Sequence, residues 1–129
     1  MGGPKALVEL DGEPLVRRAL RVLADGGCLP LVVVVGAAAD AVRAALPGDV
    51  TAVEAAEWAE GMGASLRAGL TALPHVDAVL VHLVDLPGVT AAAVARLAAD
   101  AGPATLRRAA YRGRPAHPVV LGREHWAGV

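Results

Sequence analysis

The sequence predicts an α/β fold, a Rossmann-like three-layer α/β/α sandwich with a mostly parallel sheet. Three observations predict it. Apolar runs with strand character alternate with stretches of helical periodicity along the whole chain. The strongest runs, "LPLVVVVG" and "DAVLVHLV", do not alternate polar with apolar, as expected of strands covered on both faces. The apolar stock is Val, Leu and Ala, with Trp58, Tyr111 and Trp126 the only aromatic residues, which suits close helix–sheet contacts.

Each element has its own signal. Asp11 is placed to cap a helix over roughly Glu13–Asp25, with Pro14 in its first turn. Leu15, Ala19, Leu20, Val22 and Leu23 give it an apolar face, and Gly26-Gly27 close it. After the first buried strand a short helix is expected over about Ala38–Leu46, stopped by Pro47-Gly48. "VTAVEA" is a weaker strand, followed by "AEWAEGMG" and a helix over about Gly63–Leu73. "DAVLVHLV" comes next, and Thr90 can cap a helix through about Ala101, ended by Gly102-Pro103. "ATLRRAAY" and "HPVVLG" read as two more strands joined by the turn "RGRPA". No linker, repeat or low-complexity tract interrupts this order, so residues 1–129 are expected to form one domain.

Composition narrows the function classes. The net charge of −1 offers no general attraction to nucleic acid or to an anionic membrane. One cysteine, Cys28, excludes an intrachain disulfide and a cysteine-based metal cluster, and with no transmembrane-length apolar run it points to the cytoplasm. Cys28 reads as a small buried filler rather than a nucleophile, and Ser65, the sole serine, has no histidine near it in sequence. His75, His117 and His125 lack metal-ligand spacing. The twelve basic residues comprise eleven arginines and one lysine, Lys5.

In open parallel sheets, ligands lie outside the carboxyl ends of the strands. "GAAAD", "AAEWAEGMGAS" and "DLPG" fall there. Lys5 follows Gly2-Gly3-Pro4, where glycine lets backbone N–H groups approach a phosphate and lysine adds a movable charge; an ordinary surface lysine is the plain alternative. The pattern is not a Walker A loop, which removes the GTPase reading that "VDLPG" invites. Asp85 projects from the end of an apolar strand, as a magnesium ligand or as a cap on its own turn. His82, inside that strand, reads as a core histidine. Gly61, Gly63 and Ser65 stand at a helix start, where free N–H groups favour phosphate, ribose or base oxygens; glycine flexibility with a serine cap is the plain alternative, and a G-x-G-x-x-G fingerprint is absent. Arg107, Arg108, Arg112 and Arg114 flank Tyr111, suited either to an anionic acceptor or to a charged strand edge, and His117 can face the same crevice.

"MGGPKALVELDGEPLVRRAL", "EGMGASLRAGL", "VDLPG" and "GRPAHPVVLG" together resemble the molybdenum cofactor nucleotidyltransferases, within the wider MobA-like NTP transferases. The resemblance runs from Met1 to about Trp126. It implies a nucleotide-diphospho-sugar transferase type of fold, truncated here at both ends: a strand and the first half of a glycine loop are expected ahead of Met1, and a further acid beyond Val129. It implies that Gly2, Gly3 and Lys5 hold triphosphate oxygens, that Gly61, Met62 and Ser65 line the nucleotide site, and that Asp85 binds Mg2+. Arg112, Arg114 and His117 fall to the acceptor, with Ala116 where the family usually has glycine. The implied substrates are CTP or GTP and a phosphorylated small molecule, molybdopterin foremost. An oxidoreductase on the same scaffold and a non-catalytic nucleotide- or cofactor-binding protein are the alternatives. Without the preceding strand, the sheet is expected to carry an unpaired edge or a gap in its middle.

Overall fold

The computed structural model describes residues 5–36, 39–55 and 62–129. It opens on a 3-10 turn over Lys5–Leu7 and a small hairpin, β1 (Glu9–Leu10) with β2 (Glu13–Pro14). The hairpin corrects the expectation for Asp11. Asp11 and Gly12 both have positive φ, 53° and 80°, the conformation of a two-residue hairpin turn. Asp11 is thus used as a turn residue, and α1 (Leu15–Asp25) starts two residues later than expected, with Pro14 at its cap position and no side-chain cap. Arg21 ties α1 back to the hairpin through Glu13, at 2.9 and 3.3 Å.

The remaining elements follow the expected order. They are β3 (Val32–Val35), α2 (Ala39–Ala44), β4 (Thr51–Glu54), α3 (Met62–Ala72), β5 (Ala78–Val81), α4 (Ala91–Ala98), β6 (Leu106–Tyr111) and β7 (Arg114–Gly122). Thr90 caps α4 as its position suggests, its hydroxyl accepting from the Ala93 N–H at 3.1 Å. The turn "RGRPA" contracts to Arg112-Gly113, both at positive φ, and β7 begins at Arg114 rather than His117. Arg107 secures β6 to the end of α4 by donating to the Leu97 and Ala99 carbonyls at 3.0 and 2.5 Å.

Parallel pairing is realised between β3 and β4, from Val32↔Thr51 to Val35↔Glu54. β5, β7 and β6 instead pair antiparallel in that spatial order, with Val81↔Val119 and Arg108↔Val119 in register. Among the described residues no hydrogen bond joins β3 to β5. Val32–Val34 and Ala78–Val81 line opposite parts of one cavity of about 780 Å3, closed by Val16 and Leu20 of α1 and by Leu66, Gly69 and Leu70 of α3. This explains a difference from the sequence reading. Strands expected to be covered on both faces are only half-buried, as at Val32, Val33, Val34 and all four residues of β5. Among the described residues, β3–β4 and β5–β7–β6 therefore form separate sheets that both border the cavity.

The core sits on both sides of that cavity. Val16, Leu20 and Leu31 form a cluster with Ala6, Leu23, Val33 and Val84 packed against it. Gly26 lets α1 approach α4, since a Cβ there would stand 2.5 Å from Val94, which is fully buried.

Candidate functional site

Lys5 and Asp85, 80 residues apart, meet with the Nζ 3.3 Å from Oδ2. The meeting has a local cause on each side. Ala6 and Val84, their chain neighbours, both pack on the Val16, Leu20 and Leu31 cluster. The Val8 N–H donates to the Lys5 carbonyl at 3.1 Å and closes the turn that carries the lysine. The loop that carries Asp85 is held by α1: Arg18 donates from Nε and Nη2 to the Pro87 carbonyl at 3.0 and 2.8 Å. The two charged side chains remain 56% and 40% exposed, so their pairing adds at most about 1 kcal/mol to stability. Its value is positional, and both groups stay open to a ligand.

Neither Lys5 nor Asp85 lines the cavity itself, but Val84 does, and Asp85 is near enough to His82 and His117 to act on their imidazoles. Ser65 of α3, His82 just beyond β5, His117 of β7 and Arg108 of β6 all line the cavity. Burial, then the proximity of His117, pushes the His82 imidazole below its ordinary value, with Asp85 opposing. Burial, then the Arg108 guanidinium, does the same to His117, again against Asp85. Both rings are therefore neutral at pH 7. The His82 Nδ1 is buried without a hydrogen-bond partner among the described residues. The deeper walls between β3 and β5 are apolar, which suits a strand's side chains and not a triphosphate.

The other expected site residues fall into three groups. Gly2, Gly3 and Gly61 lie outside the described residues, as does the side chain of Met62. Ser65 and His117 reach the same cavity end. Arg112 and Arg114 do not: they occupy the exposed β6–β7 tip, where the Arg112 guanidinium lies 5.3 Å from the centroid of the Tyr111 ring. Arg108, His82 and Arg18 are the contributors that the sequence reading did not assign. Arg108 was legible only as one of an arginine cluster, His82 as a core residue, and Arg18 as one polar position on an amphipathic helix.

Among the described residues no group of three or more His, Cys, Asp or Glu side chains converges on one point. Asp85 offers a carboxylate beside the Lys5 ammonium. Mg2+ is typically held by one or two carboxylates together with substrate phosphates and water, so this donor set fits a cation that arrives with its nucleotide. No described helix is long and apolar enough to cross a membrane.

The architecture is that of the nucleotidyltransferases. It superposes on a nucleotidyl transferase from Methanothermobacter thermautotroptrophicus with a TM-score of 0.86 at 27% identity, over 96% of this chain and 61% of the other. It superposes on Rv0371c from Mycobacterium tuberculosis H37Rv with a TM-score of 0.83 at 31% identity, over 99% of this chain and 67% of the other. Rv0371c is also known as a complex with manganese. The chain belongs to the MobA-like NTP transferase family, whose domain matches residues 1–129. In sequence it is 40% identical over 125 residues to the nicotine blue oxidoreductase of Paenarthrobacter nicotinovorans, covering 95% of this chain but 60% of that relative.

Proposed function

We propose that the protein transfers CMP or GMP from CTP or GTP to a phosphorylated small acceptor of the molybdopterin type, with release of pyrophosphate. The observation that carries this reading is the contact of Lys5 with Asp85 at the carboxyl end of β5. An ammonium and a carboxylate brought together there suit a bound triphosphate and its counter-cation.

An oxygen of the acceptor phosphate attacks the α-phosphorus of the nucleotide in line, and the bond from that phosphorus to the bridging oxygen of the β-phosphate breaks. The electron pair leaves with pyrophosphate. A phosphate monoester is already ionised near neutral pH, so no side chain has to remove a proton. The work left to the protein is alignment and charge compensation. Lys5 holds β- and γ-phosphate oxygens, Ser65 and the glycines of both loops offer hydrogen bonds to the nucleotide, and Asp85 orients the cation. A divalent cation bound there would neutralise the charge that gathers on the departing pyrophosphate. His117 and Arg108, on β7 and β6, face the acceptor, while Arg112 and Arg114, at the exposed hairpin tip, stand apart from it.

The test is pyrophosphate release from CTP or GTP with molybdopterin, in the presence and absence of Mg2+. Release that needs both acceptor and metal supports the reading, and none under any combination removes it. The 40% identity to nicotine blue oxidoreductase favours a second reading, an oxidoreductase on the same scaffold. Oxidation of a reduced nicotinamide cofactor without metal, and without pyrophosphate release, would decide for it. The chain spans about 60% of that relative's length, so either activity is tested in the full-length protein.

A further inference from the structure

The Lys5–Asp85 contact has a consequence for the order in which ligands bind. Among the described residues no group of three or more His, Cys, Asp or Glu side chains gathers around Asp85, and the Lys5 ammonium stands 3.3 Å from its Oδ2. Arg18 anchors the same loop through Pro87, and Arg108, His82 and His117 lie at the adjoining cavity end. A divalent cation arriving alone would therefore meet one carboxylate already paired with a cation and flanked by further positive or neutral groups. Coulomb repulsion makes that an unfavourable seat. A triphosphate reverses the balance, because its oxygens attract both the ammonium and the metal.

We propose that Asp85 is a shared cation seat, held by the Lys5 ammonium in the nucleotide-free protein and ceded to a divalent cation when a triphosphate draws the lysine away. Metal and nucleotide then assist one another's binding, and the assistance is reciprocal. The inference rests on the proposed function for the identity of the ligands, yet it concerns binding and not turnover. Lys5 plays two opposed roles in it: against the metal when the site is empty of nucleotide, and beside the metal when nucleotide is bound.

The experiment measures Mn2+ affinity by electron paramagnetic resonance, with no nucleotide and then with CTP or GTP, in the full-length protein. It compares the native protein with Lys5→Met, which keeps an unbranched side chain of similar length without its charge, and with Asp85→Asn. Both side chains are largely solvent-facing, and circular dichroism verifies that each variant folds. The native protein should bind Mn2+ weakly alone and about tenfold or more tightly with nucleotide. Lys5→Met should bind Mn2+ alone about two- to fivefold more tightly, the span expected on removing an exposed ammonium from a carboxylate. The same variant should lose much of the gain from nucleotide. Asp85→Asn should lose Mn2+ affinity in both conditions. Unchanged or weaker Mn2+ binding by Lys5→Met without nucleotide would overturn the shared seat, as would an Asp85→Asn variant that binds Mn2+ normally. Because the readout is metal binding, the seat can stand even if no pyrophosphate is released, and can fail in an active transferase.

Discussion

Ala6 and Val84 pack against one apolar cluster, Val16, Leu20 and Leu31, and that shared anchorage brings Lys5 to 3.3 Å from Asp85. The charged pair is thus a by-product of core packing one residue away on each strand of chain. Exposed ion pairs are too weak to organise two distant loops by themselves, contributing about 0–1 kcal/mol. The apolar neighbours set the geometry, and the charges are left available for a ligand.

Removing either charge should therefore affect turnover far more than stability. Lys5→Ala is expected to lower kcat/KM for nucleotide by about 10²–10³, the cost of losing one preorganised donor to developing phosphate charge. Thermal unfolding should shift by no more than the equivalent of about 1 kcal/mol. Asp85→Asn should cost a similar factor and abolish the response to added Mg2+. Steady-state pyrophosphate release with a metal titration measures both.

Arg18 acts through the loop that bears Asp85. Its two donors converge on the Pro87 carbonyl at 3.0 and 2.8 Å from within a half-buried site. Arg18→Met keeps the apolar stem and deletes both bonds, which should cost about 1–3 kcal/mol in urea unfolding. Freed of its tether, Asp85 should hold metal less well, so the Mg2+ concentration needed for half-maximal rate should rise. An unaltered metal requirement would make Arg18 a stability residue alone.

How far the sequence foretold this depends on what each residue needed to declare itself. The alternation of strands and helices, the Thr90 cap and the terminal glycines of α1 are local signals, and they held in the structure. Asp11 misled because an aspartate before glycine serves a hairpin turn as readily as a helix cap, and the positive φ of Gly12 decides for the turn. Strand direction was not local at all: "HPVVLG" looks alike in either orientation, and only its placement between β5 and β6 makes it antiparallel to both. Lys5 and Asp85 were readable as types of residue at strand and loop ends. Arg108 was readable only as one of a cluster, since its place at the cavity depends on the register Arg108↔Val119 across two strands.

The gap between β3 and β5 makes a direct prediction. Among the described residues, β3 and β5 face one cavity with no hydrogen bond between them. Cys28 lines the same cavity, half-buried, its thiol pushed up by burial. An apolar, β-branched peptide of about five or six residues, added in trans, should fill this cavity by pairing with its strands. Labelling of Cys28 by a thiol reagent should then slow by about tenfold or more, with amides of Val32–Val35 and Ala78–Val81 gaining protection from hydrogen exchange. A control segment with proline at alternate positions should do neither, because it cannot supply the N–H donors.

Gly26 tests the packing of α1 on α4. A Cβ at this position would lie 2.5 Å from Val94 Cγ1 and 2.8 Å from Val94 Cβ. Val94 is fully buried and has nowhere to retreat. Gly26→Ala should therefore destabilise by about 1–3 kcal/mol through overpacking. Pairing it with Val94→Ala should recover part of that loss if the clash is the cause, and a strictly additive double variant would place the cost elsewhere.

The two histidines predict how stability changes with pH. His82 and His117 both have their pKa lowered from 6.5, chiefly by burial. Well above pH 6.5 the imidazoles are neutral in the folded and unfolded chains alike, so they contribute no pH dependence there. As pH falls below 6.5 the unfolded chain takes up protons first, and stability drops until the folded-state values are passed. The slope is at most about 1.4 kcal/mol per pH unit for each proton so displaced. His82→Gln keeps a polar group and removes the titration, so its urea midpoint should fall less steeply than the native one between pH 7 and pH 5, about the range in which imidazole titrates. Parallel curves for the two proteins would mean that His82 is already solvated, and that the unpartnered Nδ1 finds water.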